Sequence, residues 1–146
     1  MIVVNEKKSS GATFTPSDFS DFLAKKIVNV SEEILNQESI KILDPAIGEG
    51  ELVCSLLSAI DESIHKIIEV YGFDTNSKYV DLSFEKIQKA FPSLKKVDIR
   101  NDDFLEFSCL NKRGQLLYES FDLIIANPPY VRTQILGSNS SQGLTK

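Results

Sequence analysis

The residues with the most chemical content stand at the ends of apolar runs. Phe121, Leu123, Ile124, Ile125 and Ala126 form a near-continuous hydrophobic segment that stops at Asn127-Pro128-Pro129-Tyr130. Two consecutive prolines cannot donate ladder hydrogen bonds, and Asn127, preceding a proline, is turned away from helical geometry. An amide and an aromatic ring are thereby held rigidly at the end of a strand expected to be buried on both faces. A second run ends in Asp44-Pro45-Ala46-Ile47-Gly48-Glu49-Gly50. Its glycines suit either a simple tight turn or the close approach of a ligand to bare backbone. A helix start just beyond offers N–H groups to a carboxylate or phosphate. A third run ends at Asp74, placed to accept hydrogen bonds from a ribose diol or to cap the helix after Thr75-Asn76. A fourth leads to Asp103-Phe104, an acceptor for an adenine amino group with a ring to pack on its face, or a helix cap beside a core aromatic.

Taken together these sites narrow the chemistry. A glycine turn, a ribose-type acid and an adenine-type acid end three consecutive strands, in the order a nucleoside-bearing ligand would meet them. The dinucleotide fingerprint would want a third small residue where this chain has Val53, which speaks against NAD. A ligand with a carboxylate, a ribose and an adenine but no pyrophosphate describes S-adenosylmethionine.

The elements that must position these residues alternate along the chain. Residues 1–12 are polar and expected to be loose. Thr15-Pro16-Ser17-Asp18 reads as a helix start with Thr15 as N-cap, and Phe19, Phe22, Leu23, Ile27 and Val30 follow at helical spacing as one apolar face. Ile40 to Leu43 predicts a strand, and Leu52, Leu56, Ala59 and Ile60 predict a helix after the glycine turn. Ile67 to Phe73 predicts the next strand, and Val80, Phe84, Ile87 and Phe91 a helix ending before Pro92. A strand around Lys96 to Ile99 and the run into Asn127 complete the pattern. Strands alternating with helices predict a parallel sheet with right-handed crossovers, whose carboxyl edge is where ligands bind. The fold class expected is α/β, an incomplete Rossmann-like sheet of four parallel strands with flanking helices. It occupies residues 13–132, and residues 133–146, rich in Ser, Asn and Gly, form an unsupported tail.

Bulk properties set outer limits. The length suits one domain with a real core. The formal charge of −5 argues against strong nucleic-acid binding by this segment alone, since Lys and Arg make phosphate contacts. Two cysteines, Cys54 and Cys109, are too few for a disulfide framework and favour a cytoplasmic setting. Neither a signal-peptide layout nor an apolar stretch of membrane-spanning length is present in the sequence.

The motifs resemble those of adenine-specific DNA methyltransferases of the gamma arrangement, close to the Eco57I-like restriction–modification methylases. The matching pieces are Gly11-Ala-Thr-Phe-Thr15-Pro16, Asp44-Pro-Ala-x-Gly-x-Gly50, Gly72-Phe-Asp74, Asp103-Phe104 and Asn127-Pro-Pro-Tyr130, followed by Val131-Arg132. The resemblance covers residues 11 to 132, and Ile47 and Glu49 depart from the small or polar residues usual in the glycine turn. It implies S-adenosylmethionine as methyl donor, with Thr15 and Asp44 at its methionine end, Asp74 at the ribose, and Asp103 and Phe104 at the adenine. Ala46, Gly48 and Gly50 complete that donor set. Asn127, Pro128, Pro129 and Tyr130 would receive a target adenine flipped out of DNA, and no metal is required.

This chemistry suits the tetrad. The adenine amino group is a poor nucleophile because its lone pair is delocalised into the ring. Acceptors on both its hydrogens, the Asn127 side-chain oxygen and the Pro128 carbonyl, would pull it toward tetrahedral geometry as positive charge develops. Tyr130 would stack on the extruded base. Two other readings stand beside this one. A protein glutamine amide is a similar planar NH2, and a non-catalytic fragment would keep the fold while binding donor or a partner chain. Since the strand into Asn127 reads as central with nothing after Gly137 to cover its far side, the chain is expected to be truncated or to need a second polypeptide, which would also supply DNA recognition. His65 is expected at the surface and the two cysteines to be structural. Lys95, Lys96, Arg100, Lys112 and Arg113 are expected to be solvated loop charges, with Arg132 the best candidate for a phosphate contact.

Overall fold

The computed structural model describes residues 17–107 and 120–127, all within one unit of the chain, Thr15–Asn127. The flanking segments 1–12 and 133–146 therefore lie outside the described residues. Strands β1 (Ile40–Asp44), β2 (Ile68–Asp74), β3 (Lys96–Asn101) and β4 (Leu123–Ile124) form one sheet in the order β3-β2-β1-β4, every pair parallel. Helices α1 (Ser17–Val30), α2 (Glu32–Leu35), α3 (Glu51–Ala59), α4 (Ser77–Ala90) and α5 (Phe104–Phe107) occupy the connections, with a 3-10 turn over Glu62–Ile67. The alternation expected from the sequence is what forms, and β1 lies between β2 and β4. That is the point where strand order reverses and a crevice opens beyond the carboxyl ends.

The two faces of the sheet differ. Ile42, Val70 and Leu123 lie in register on one face, where Ile40, Ile68, Ile125 and the helix residues Ala24, Val53, Leu56, Leu57 and Ile87 join them in the main core. Nine of these, all but Leu123 and Ile125, have no exposed surface, so this face anchors the fold. The opposite face holds a smaller cluster of Leu43, Tyr71 and Phe73 with Phe104 and Phe121. Beside it the Tyr71 hydroxyl donates to Glu69 at 2.6 Å, and Lys96 sits 4.7 Å over the Tyr71 ring. Lys95 pairs with Glu69 at 2.8 Å, and Arg100 donates twice to the Asp98 carboxylate at 3.0 Å.

Four expectations are corrected. The run before Asn127 is not buried on both faces: Leu123 and Ile125 are buried, but Ile124 is 64% exposed. Ile124 pairs with Leu43, so it points to the second face, whose small cluster reaches Leu43 but does not include Ile124. The regular strand is also short, although backbone bonds from Asp122 N–H to Lys41 O and from Ile125 N–H to Leu43 O, both 2.9 Å, extend the pairing on either side. In α1 the packed side is Ser20 and Ala24 with Leu23, Ile27 and Val28, while Phe19, Phe22 and Val30 are more than half exposed. Small residues let α1 approach α3 closely enough for the Ser55 hydroxyl to donate to Asp21 at 2.8 Å. Lys26 covers the Phe22 ring instead, 5.6 Å from its centroid.

His65 is buried rather than at the surface. The Asp61 side chain caps the 3-10 turn by accepting from Ser63 N–H, and within that turn the His65 Nε2–H reaches Leu57 O at 3.1 Å, with its ring edge-on to Phe91. Lys95, Lys96 and Arg100 are part-exposed, as expected of solvated charges, but only Lys95 lies in a loop. Lys96 and Arg100 lie on β3, and all three are ion-paired to Glu69 or Asp98. Cys54 is half-buried, and burial pushes its thiol up, away from nucleophilic character. Cys109, Lys112, Arg113 and Arg132 lie outside the described residues, as do Thr15 and Pro16. No helix among the described residues is long and apolar enough to cross a membrane.

Candidate functional site

The glycine turn is shaped by its backbone. Gly48 and Gly50 have φ of +52° and +78°, the left-handed region that side chains disfavour, so the chain can fold back sharply after β1. Gly50 is also the N-cap of α3, and a Cβ there would stand 3.2 Å from the Ser83 Cβ of α4. Two N–H groups hold the turn down on β2: Ile47 N–H donates to Phe73 O and Gly48 N–H to the Asp74 carboxylate, each at 2.9 Å. On the outer side Lys86 of α4 pairs with Glu51 of α3 at 2.8 Å, both part-exposed, and also reaches Glu49 O at 3.4 Å.

Asp44 closes β1 beneath this turn and is 1% exposed. One of its oxygens accepts from Ala46 N–H at 3.0 Å, a local bond that fixes where Ala46 and the following residues start. Burial pushes the Asp44 carboxyl up to about 7; the Ala46 bond opposes this and the nearby Asp74 charge adds to it. A cation placed beside this carboxyl would favour its ionised form.

Asp74 ends β2 and is tied on both carboxylate oxygens, by Gly48 N–H at 2.9 Å and by Asn76 N–H at 2.8 Å. It is not the cap of α4, since Asn76 fills that role by accepting from Lys78 N–H. The Asp74 carbonyl in turn accepts from the Asn101 side chain of β3 at 3.0 Å. Asp103 is exposed and accepts from Leu105 N–H at 2.8 Å, so the helix-cap geometry is present. Phe104 is half-buried against Phe73, ring centroids 5.3 Å apart. Asn127 is half-buried two residues beyond Ile125, whose N–H is bonded to β1.

The sheet thus gathers Asp44, Ala46, Gly48, Gly50, Asp74, Asp103, Phe104 and Asn127 at the carboxyl ends of its four strands. Thr15, Pro128, Pro129 and Tyr130 lie outside the described residues. Asn76 and Asn101 were not singled out from the sequence, and Ile47 stood out there only as a departure in the glycine turn. The available signal was Gly72, an isolated glycine inside an apolar strand, which marks close approach by another part of the chain.

A family model described as N-6 DNA Methylase matches residues 1–143. Among curated proteins, the Type II methyltransferase M.BanIII of Aneurinibacillus aneurinilyticus is 33% identical over 97% of this chain and 25% of its own length. The release factor glutamine methyltransferase of Haemophilus influenzae is 27% identical over 86% of this chain and 40% of its own. Among solved structures, the methyltransferase subunit of a type I restriction–modification system from Streptococcus thermophilus superposes with a TM-score of 0.60 at 15% identity, covering 80% of this chain and 23% of that one. The chain spans about a quarter of the length of the first curated relatives it matches. Its parallel four-stranded sheet with flanking helices is a Rossmann-like fold, shared with solved structures described as S-adenosylmethionine-dependent methyltransferases, and the chain belongs to the N-6 DNA methylase family.

Proposed function

We propose that this chain supplies the donor site and the acceptor loop for S-adenosylmethionine-dependent methylation of the exocyclic amino group of adenine in DNA, as part of a restriction–modification system. The observation that carries the reading is the bond from Gly48 N–H to the Asp74 carboxylate. It joins a glycine turn and a strand-end acid at the carboxyl edge of the sheet. The residues fit a donor with a cationic amino-acid end and a ribose: buried Asp44 and the turn meet the first, and Asp74 accepts from the second. Asp103 and Phe104 meet the adenine ring. Gly50 at the N-terminus of α3 leaves backbone N–H groups for the donor carboxylate.

In the reaction so assigned, the amino nitrogen of the target base attacks the sulfonium methyl carbon, the carbon–sulfur bond breaks to leave a neutral thioether, and the nitrogen releases a proton to solvent. Asn127 accepts from the amino group through its side-chain oxygen, and the Pro128 carbonyl takes the second hydrogen. Tyr130 stacks on the extruded base, worth roughly 1–3 kcal/mol. These groups act by position and fixed dipoles, strongest as positive charge develops on nitrogen. Recognition of the DNA sequence by a further domain or a second chain is part of the same proposal.

Glutamine methylation uses the same planar amide chemistry, and a glutamine methyltransferase is among the relatives. The N-6 DNA methylase family match over residues 1–143 favours adenine. Calorimetric titration with S-adenosylmethionine, paired with methyl transfer to adenine-containing DNA and to a glutamine-bearing peptide, tests the reading. Donor binding with transfer to DNA is expected. Transfer to the peptide and not to DNA would reverse the acceptor assignment, and a folded chain that binds no donor would remove it.

A further inference from the structure

Gly72 lies in the middle of the apolar strand β2, and its backbone needs no unusual φ. What it provides is space. A Cβ at this position would stand 2.6 Å from the Ile47 Cδ1, 3.3 Å from the Ile47 Cβ and 2.9 Å from the Ile99 Cδ1. Ile47 belongs to the glycine turn rather than to the sheet, yet it is 4% exposed and counts among the main core residues. Its own N–H donates to Phe73 O, its carbonyl accepts from Gly50 N–H at 2.9 Å, and the next N–H, of Gly48, reaches Asp74. One side chain thus seats in the gap left by one missing Cβ, while the backbone on both sides of it is bonded to the end of the same strand.

We propose that Ile47 and Gly72 form an interlocking pair that sets the height of the glycine turn over β2, and so the spacing between the turn and Asp74 on which donor binding depends. The inference rests on the proposed donor site and makes Ile47 a positioning residue for it. Physically, the turn has two left-handed glycines and would otherwise be free to rise. Hydrogen bonds to Phe73 O and Asp74 orient it, and the second of these joins Gly48 and Asp74, which are only half-buried. The buried Ile47 side chain adds an apolar anchor that water does not compete for. Because interiors are close-packed, a methyl added at position 72 would displace the Ile47 and Ile99 Cδ1 atoms, and it is through the Ile47 Cβ, 3.3 Å away, that a shift of a few tenths of an ångström would reach the turn backbone and the N–H of Gly48. Ile99 meets the same space from β3, which carries none of the turn. This separates a packing effect from a positioning effect: relief through Ile47 and relief through Ile99 both lessen crowding, but only the first lets the turn settle back.

The test uses the full 146-residue chain, with calorimetric titration by S-adenosylhomocysteine and a thermal denaturation midpoint for each variant. Gly72→Ala is expected to weaken binding by about tenfold or more. Gly72→Ala with Ile47→Val, which deletes the Cδ1 in closest contact, is expected to return affinity to within about threefold of the unsubstituted chain. Gly72→Ala with Ile99→Val is expected to regain thermal midpoint but to stay as weak as Gly72→Ala alone. Equal recovery of affinity in the two double variants would overturn the interlock, because affinity would then follow packing in general. Should Gly72→Ala fail to fold, Ile47→Ala is compared with Ile68→Ala, an equally buried site at the opposite end of β2. Both lower the midpoint, and only Ile47→Ala is expected to weaken binding; unchanged affinity in both would overturn the proposal. An unsubstituted chain that is folded and binds no S-adenosylhomocysteine would overturn the donor reading and the interlock with it, a result distinct from binding that ignores position 47.

Discussion

Between β1 and β2 the carboxyl edge of the sheet is cross-tied: Asp44 to Ala46, Ile47 to Phe73, Gly48 to Asp74, and Asn101 from β3 to the Asp74 carbonyl. At β4 the same edge is held differently. Among the described residues that strand pairs with β1, through two residues of regular ladder and the flanking bonds of Asp122 and Ile125. Its Leu123 and Ile125 are buried and its Ile124 is mostly exposed. The glycine-turn side is organised by contacts within this span, whereas among the described residues the strand leading to Asn127 has one neighbouring strand. In the site proposed for two substrates, the described residues of the donor half are tied by many mutually supporting bonds, and the two halves should respond differently to change.

The largest difference is expected from Asp44. Its folded carboxyl is raised to about 7 from an ordinary value of 3.8 by burial first, then by Asp74, against the Ala46 bond. An acid raised in this way contributes stability that is fully present below its unfolded value and is lost as pH rises through about 7. A shift of this size corresponds to at most about 4 kcal/mol between the two limits. Asp44→Asn, neutral throughout, should flatten the stability profile between these values and raise the denaturation midpoint at pH 8. Donor affinity should run the opposite way in the unsubstituted chain, rising with pH toward 8 because a cationic donor prefers the ionised carboxylate. Denaturant titrations and calorimetry across pH check both signs.

Next comes Ile125→Ala, which empties a buried site under the loop and should cost roughly 2–5 kcal/mol in denaturant unfolding. If the two halves are as separate as their contacts suggest, donor affinity per folded molecule should hardly change. A large loss would merge them. Asp74→Asn should behave in reverse. An amide cannot accept at both positions that face Gly48 and Asn76 N–H, so one donor is left poorly paired, a cost of about 1–3 kcal/mol. Donor affinity should drop more than stability does, measured by calorimetry beside a thermal scan. The smallest effect is expected from Lys86→Ala: its pair with Glu51 is about two-fifths exposed on both sides, and such pairs contribute roughly 0–1 kcal/mol.

What was legible in the sequence was local. The three acids at strand ends and the two turn glycines follow from apolar runs broken by residues with special backbone demands, and the structure brings Asp44, Gly48, Gly50, Asp74 and Asp103 to one edge. What was not legible depended on parts distant in sequence. Ile47 read as a departure in the turn because its value lies in Gly72, a residue of another strand. The Phe residues of α1 looked like its core face, but close approach to α3 selects the small side, Ser20 and Ala24. His65 turns inward because Asp61 caps a 3-10 turn. Ile124 matched its neighbours in hydrophobicity, and its exposure comes from what does or does not pack on the second face of the sheet.

The claim that the glycine-turn half is a working donor site is tested most directly by calorimetric titration of the 146-residue chain with S-adenosylmethionine at pH 8. The account predicts saturable binding at one site per chain, lost or sharply weakened in Asp74→Asn and preserved in Ile125→Ala. A well-folded chain that takes up no donor, or one that binds it equally well after Asp74→Asn, would contradict it.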